Sequence, residues 1–201
     1  MEAHIGTKIT LPTNYGNFDV QHVIVQYGGN IIREGVVLQR ITTRRPIIVR
    51  VQSSCLFSET FWATDCDCAL QLQASLLRIN RDGGIVLYFY EEGRGAGLMA
   101  KFKAIELQQL RGLNTQQAYE CLQMKLDPRS YEAAAVTLQK LVANTPLHLL
   151  SNNLGKMDGL KAHRANIVSR EQLIVGDTSP AVRRYLDEKR NFLKHDIPIF
   201  K

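Results

Sequence analysis

Apolar and polar residues alternate through much of the first third of the chain, in Lys8-Ile9-Thr10-Leu11, Phe18 to Val25, Val36-Val37-Leu38 and Ile47 to Val51. A period of two sends successive side chains to opposite faces of a pleated strand, so these runs predict a strand-rich, mostly antiparallel region. Between the first two runs, Pro12 to Asn17 holds Asn14 and Gly16. Both tolerate the positive φ of a tight reversal, and a hairpin is expected there. From Cys68 the spacing becomes helical, with Leu72, Leu76, Leu77 and Ile79 to one side and a stop at Asp82-Gly83-Gly84. The apolar run Ile85 to Tyr90 reads as a buried strand. After the loop Glu91 to Gly97, a helix carries Leu98, Phe102, Ile105 and Gln109 on one face. Further helices are expected behind caps at Thr115 and Ser130, then a strand at Leu147 to Leu150, a helix from Leu154 and short strands around Ile167-Val168 and at Leu173 to Val175. Ser179-Pro180 opens a last helix through Tyr185, Leu186 and Leu193. This order predicts the α/β class, a mixed α+β fold with a strand-rich N-terminal half followed by alternating helices and strands. With no internal repeat, low-complexity tract or linker, residues 1–201 are read as one domain.

Composition narrows the class. A chain of 201 residues, 45% of them apolar, can bury a sizeable core. No run approaches the roughly 18 apolar residues of a membrane span, and the N-terminal residues lack a basic segment followed by an apolar one. The expectation is a cytoplasmic protein without a membrane partner. A net charge of +6 points to an anionic partner. The basic residues fall in short pairs, Arg44-Arg45, Arg183-Arg184 and Lys189-Arg190, without the long runs or interleaved aromatics of a nucleic-acid tract, so a small polyanion is preferred to nucleic acid.

Three of the four cysteines, Cys55, Cys66 and Cys68, crowd into one segment, which suits a metal better than a disulfide framework. Cys66 and Cys68 lie two apart, a spacing that aims both sulfurs one way on an extended backbone. Three thiolates can hold a zinc and leave its fourth position open, the catalytic form; a structural site closed by Cys121 and ordinary buried cysteines remain alternatives. The Glu92-Gly93-Arg94-Gly95-Ala96-Gly97 loop between strand and helix can offer backbone N–H groups to a phosphate, or can serve turn geometry alone. Asp127-Pro128-Arg129 sets a carboxylate beside a guanidinium, either a base with a phosphate-binding partner or a surface turn. Ser151-Asn152-Asn153-Leu154-Gly155-Lys156 follows a strand, at the end where open α/β sheets bind ligands, and can equally be a helix cap. The histidines show no ligand spacing with the cysteines and receive no role.

In order, these segments resemble the GTP cyclohydrolase II family, zinc enzymes that commit GTP to riboflavin synthesis. The likeness runs from Leu11-Pro12-Thr13 to Tyr185-Leu186-Asp187. It rests on Arg50-Val51-Gln52-Ser53-Ser54-Cys55-Leu56, Cys66-Asp67-Cys68-Ala69-Leu70-Gln71-Leu72, Glu92 to Leu98, Leu107 to Thr115, Asp127-Pro128-Arg129 and Ser151 to Lys156. The resemblance implies one zinc per chain on Cys55, Cys66 and Cys68. It implies nucleotide contacts by Arg50, Val51, Gln52, Ser53, Ser54, Gln71, Glu92, Gly93, Arg94, Thr115, Ser151 and Lys156. It also implies an Asp127 proton acceptor and an Arg129 that attacks the α-phosphate, for which charge stabilisation is an equal physical alternative because a protonated guanidinium has no lone pair. The implied reaction is hydrolytic opening of the imidazole ring of a purine nucleotide, GTP above all, with release of formate and pyrophosphate. Magnesium on the nucleotide's phosphates is a further candidate cofactor, and a homodimer is the implied assembly.

The chain departs from the family pattern at Gln52 and Ser54, where histidine and glutamate are usual, at Asp65 for an arginine, at Phe57-Ser58-Glu59 for T-G-D, and at Ile105 for a tyrosine. These changes leave open a ring-opening hydrolase for another nucleotide or nucleobase, and a nucleotide-binding zinc protein without catalysis.

Overall fold

The computed structural model of the chain describes residues 1–175, 179–193 and 195–199. Three long strands, β1 (Glu2–Thr13), β2 (Gly16–Tyr27) and β3 (Asn30–Arg40), form an antiparallel meander. The expected hairpin joins β1 to β2, with Thr13 opposite Gly16. A second turn, Gly28-Gly29, joins β2 to β3; both residues take positive φ, 56° and 82°, a backbone that glycine adopts without a Cβ clash.

The rest of the sheet is built from β4 (Ile47–Ser53), β5 (Gly84–Phe89), β6 (Leu147–Leu150) and β7 (Ile167–Glu171), in the spatial order β1-β2-β3-β5-β4-β6-β7. β5 pairs antiparallel with β3, but β4 runs parallel to both β5 and β6, and β6 parallel to β7. The last strand of the first third thus belongs to a parallel unit, which its continuous burial reflects.

Alternation distributes each strand over two cores. Ile47, Val49 and Val51 of β4 pack with Ile85, Leu87 and Phe89 of β5 under α5 (Glu132–Val142) and α6 (Leu154–Ala162). Ile48 and Val86 face the other way, beneath α2 (Cys68–Asp82), with Phe18, Val20, Leu76 and Ile79. Arg50 and Gln52 share the parity of Ile48, so they too lie on the α2 face. The helix after β4 covers one face and the helix after β6 the other, so the carboxyl ends of these neighbouring strands flank a topological switch point, where open α/β sheets bind ligands.

The remaining helices are α1 (Leu56–Phe61), which periodicity did not predict, α3 (Leu98–Arg111), α4 (Thr115–Cys121) and α7 (Pro180–Leu193). Several expectations need correction. Leu77 is exposed, and α2 instead buries Gln71, Ser75, Leu76 and Ile79. Phe102 is exposed as well: α3 buries Ala100 and Ala104, while Ile105 and Gln109 face a cavity, so its apolar face is not a core face. The cap of α4 is Asn114, which forms a reciprocal capping box with Gln117, and Thr115 is left free for other bonds. Tyr131 occupies the cap position of α5. Leu173 to Val175 are irregular rather than a strand; Leu173 N donates to Asn152 Oδ1 over 2.7 Å instead of to a neighbouring strand.

Candidate active site

A cavity of about 570 Å³ opens where the carboxyl ends of β4 and β6 meet the loop after β5, and α3 and α7 close its sides. This volume lies within the range of small-molecule sites. Every residue expected to contact a nucleotide lines it except Val51, and of the expected catalytic pair Arg129 lines it while Asp127 does not. Val51 is set back from the cavity. Its side chain is buried in the sheet core, and its carbonyl accepts from Lys156 Nζ over 2.6 Å.

Cys55 lies between β4 and α1, Cys66 in the loop before α2, and Cys68 is the first residue of α2. The Cys66–Cys68 link is not extended, since Asp67 has φ −97° and ψ 12°. The helix start, rather than a pleat, turns Cys68 toward its partners. All three sulfurs lie within 4.8 Å of one another, and Cys55 and Cys66 stand 3.9 Å apart. Two sulfurs at about 2.3 Å from one tetrahedral zinc would be separated by about 3.8 Å, so the spacing fits that metal. The free thiols resist ionisation. The bond with Cys66 pulls Cys55 down, but the bond with Cys68, burial and the charge of Cys68 push it up to about 11. Cys68 is drawn down by its bond with Cys55, and that with Cys66, together with burial, pushes it up to about 12. A divalent cation removes this repulsion. A trio of thiolates around zinc carries one net negative charge. Two cations are ready to offset it: Lys101 Nζ stands 3.5 Å from Cys55 Sγ and 2.7 Å from Glu92 Oε1, and Lys189 lies in the field of Cys68. Cys121 is exposed and outside the cluster.

Arg50 is fixed from three sides. Its Nε and Nη2 donate to Gln52 Oε1 at 2.9 and 2.6 Å, Nη2 also to Gln71 Oε1 at 2.7 Å, and Nη1 to Leu150 O at 3.2 Å. Burial pulls its pKa down to about 10 against the charges of Asp67, Cys68 and Glu59, so it remains charged at neutral pH. Arg129 is not on a surface turn. Its side chain is 10% exposed and doubly bonded to Asp127, Nε to Oδ1 at 2.8 Å and Nη2 to Oδ2 at 2.5 Å. Burial works against both charges, but this fork overrides it, holding Arg129 above and Asp127 below their usual ranges. Asp127 thus stands behind Arg129 and locks it protonated. Lys156, fully buried, is held well below its ordinary pKa by burial and by Arg50 and Arg129. An incoming polyanion would offset the burial of Arg50, Arg129 and Lys156.

The glycine loop meets the demands of turn geometry and leaves one buried donor open. Gly93, Arg94 and Gly95 take φ of 59°, 57° and 84°, and a Cβ on Gly95 would stand 3.1 Å from Arg129 Cγ. Arg94 is a non-glycine residue in the left-handed region, and its buried Nη1 has no hydrogen-bond partner. Arg94 lines the cavity, and strain with an unsatisfied buried donor is a combination that functional sites concentrate. Asn153 is the cap of α6, accepting from Lys156 N at 3.1 Å, while Ser151 and Lys156 face the cavity.

Sequence reasoning gave no site role to several residues that form the wall or, in the case of Glu59, support it from behind. Glu59 Oε1 accepts from Gln52 Nε2 at 2.9 Å, and Glu59 Oε2 accepts from Tyr88 Oη at 2.5 Å and Cys55 N at 3.1 Å. Lys189, a member of a basic pair already noted, forms a buried ion pair with Asp67 at 3.0 Å and lies 4.1 Å from the Tyr185 ring centre. Glu188 accepts from the Thr115 hydroxyl. His195 also lines the cavity. The signal for α7 was its helical periodicity, which marked a helix but not the cavity it serves.

Fold and site together define an α/β enzyme with a thiol cluster and a cationic cleft at the carboxyl ends of its parallel strands. The family model for GTP cyclohydrolase II matches residues 4–172, and the chain belongs to that family of hydrolases. It is 38% identical over 191 residues to the riboflavin biosynthesis protein RibBA of Bacillus mycoides (strain KBAB4), covering 94% of this chain and 47% of that protein. It is 34% identical over 195 residues to the RibBA protein of Staphylococcus epidermidis (strain ATCC 35984), covering 97% and 48%. The chain spans about half the length of the curated relatives it matches. Among the described residues, no helix is long and apolar enough to cross a membrane.

Proposed function

We propose that the chain is a zinc-dependent cyclohydrolase that opens the imidazole ring of GTP and releases formate and pyrophosphate, in the service of riboflavin synthesis. The observation that carries this reading is one cavity holding both the Cys55/Cys66/Cys68 cluster and the cations Arg50, Arg94, Arg129 and Lys156. Three waters balance the reaction: one opens the ring at C8, a second frees C8 as formate, and a third splits the α–β phosphoanhydride. Zinc, when bound by the three cysteines, supplies a Lewis acid that makes water nucleophilic near neutral pH. The chain's own residues do the rest. Arg129, locked protonated by Asp127, stabilises charge at the α-phosphate rather than attacking it. Arg94 and Lys156 neutralise the remaining phosphates, and a magnesium ion would ride on those phosphates. Arg50, Gln52 and Gln71 present a fixed polar wall. The exposed apolar side chains Phe61, Trp62, Met99, Phe102 and Leu110 of α1, α3 and the residue after α1 support a homodimer. The single sheet supports one domain, and the lack of a spanning helix among the described residues is consistent with a cytoplasmic protein.

Zinc-loaded protein incubated with GTP, followed by ultraviolet spectra, formate assay and mass spectrometry, tests the reading. Arg129→Ala and Asp127→Asn are expected to abolish turnover while zinc content stays near the parent's, at a cost in melting temperature because the pair is largely buried. Variants active within a few-fold of the parent would remove the pair from the chemistry. Ile105 and Asp65 both line the cavity. They favour a second reading, in which base preference is altered or the reaction stops at a formyl-retaining product; the product mass distinguishes the two.

A further inference from the structure

Helix α7 packs through Val182 and Leu186 against Ile197 and turns Tyr185, Glu188 and Lys189 into the cavity wall. The chain then doubles back. His195 N donates to Lys189 O at 3.2 Å, Asp196 N donates to Asn152 O at 2.8 Å, and a β-bridge pairs His195 with Asn153. Arg170 ties this segment down from the sheet, donating to Ser151 O at 2.7 Å and pairing with Asp196. The backbone of His195 is therefore anchored to the loop after β6, and its imidazole is part of the cavity wall with Nε2 buried and without a hydrogen-bond partner. A buried ring nitrogen left unmade is costly unless something else supplies the bond. The cations acting on the ring come from separate elements: Lys189 from α7, Lys156 from α6, Arg129 from the connection before α5 and Arg94 from the glycine loop. A nitrogen among four cations is placed for an anionic acceptor.

We propose that His195 is a specificity-determining contact to the phosphate chain of the ligand, its Nε2–H donating to a non-bridging phosphate oxygen. The inference rests on the nucleotide reading above and adds a residue beyond the segment matched by the family model, which ends at residue 172. Isothermal titration of the zinc-loaded full chain with inorganic tripolyphosphate and with guanosine tests it. His195→Phe, which keeps a ring but no donor, is expected to weaken tripolyphosphate about tenfold and leave guanosine unchanged. His195→Gln carries an amide N–H to nearly the same place and is expected to stay within about threefold of the parent. Equal binding of tripolyphosphate by parent and His195→Phe overturns the proposal, as does an equal loss for guanosine or a glutamine variant as weak as the phenylalanine one. A parent that binds tripolyphosphate with these variant effects but leaves GTP unopened would sink only the ring-opening reading. A parent that binds neither GTP nor tripolyphosphate sinks both.

Discussion

Acid sensitivity offers a test of the cavity's electrostatics that needs no substrate. Burial, and after it the charges of Lys189, Lys156, Arg129 and Arg94, hold His195 down to about 3. In the unfolded chain the same ring titrates at about 6.5. Above pH 6.5 both states are neutral there and the group favours neither. Between 6.5 and 3 the unfolded chain binds the extra proton, so stability is lost as pH falls through that window. At pH 5 the lost stability is about 2 kcal/mol, which for a chain of this size is about 4–8 °C in melting temperature. His195→Gln cannot take up that proton. Thermal melts of parent and variant at pH 7.5 and pH 5 are expected to show a smaller acid drop in the variant, by about that amount, whatever the substitution costs at neutral pH. Thiols and carboxylates titrate in both proteins and cancel in the difference. Equal acid drops would mean that His195 is not held neutral by its surroundings, and the picture of four converging cations would fail with it.

Two further outcomes follow from the metal centre and its supports. Cys66→Ser is expected to lose the bound zinc while Cys121→Ser keeps it, and elemental analysis of the purified variants checks both. Lys189→Met leaves the Asp67 carboxylate, 2% exposed, buried without its partner, and is expected to cost about 3–5 kcal/mol; urea unfolding should show much of that recovered in Asp67→Asn/Lys189→Met, and no recovery would argue against the pair.

Much of the fold could be read because its elements are locally encoded. The period-two runs before Arg40, the exact span of β6 and the helical stretch from Cys68 all agree with the structure. The misread helix faces share one cause: periodicity reports a face but not what the face meets. Phe102 and Leu77 sit at helical spacing yet are exposed, and Ile105 belongs to a cavity rather than the core. The parallel setting of β4 depends on crossovers through α2 and on β6, nearly a hundred residues away, which no local pattern carries. The candidate site followed the same rule. Residues inside ordered motifs could be named one by one, whereas Glu59, Lys189 and His195 enter it only through tertiary packing.

The departures from the family pattern are not independent of one another once the contacts are known. Gln52 stands between a donor and an acceptor: its Oε1 takes two N–H bonds from Arg50 and its Nε2 gives one to Glu59. A neutral imidazole has one acceptor nitrogen with one lone pair, whereas an amide oxygen has two, so glutamine can hold both arms of the guanidinium. Glu59 in turn takes the bond from Gln52 together with those from Tyr88 and from the backbone N–H of Cys55, a cysteine of the metal cluster. Changes at positions 52 and 59 therefore form one rewired network that steadies Arg50 and the cluster, and they need not alter what the cavity binds. Among the described residues Asp65 and Ile105 take no part in this network, and both, like Gln52, line the cavity. Under the proposed ring-opening function, base preference and the completeness of ring opening are therefore expected to respond more to substitution of Asp65 and Ile105 than of Gln52 or Glu59, whose bonds hold the frame.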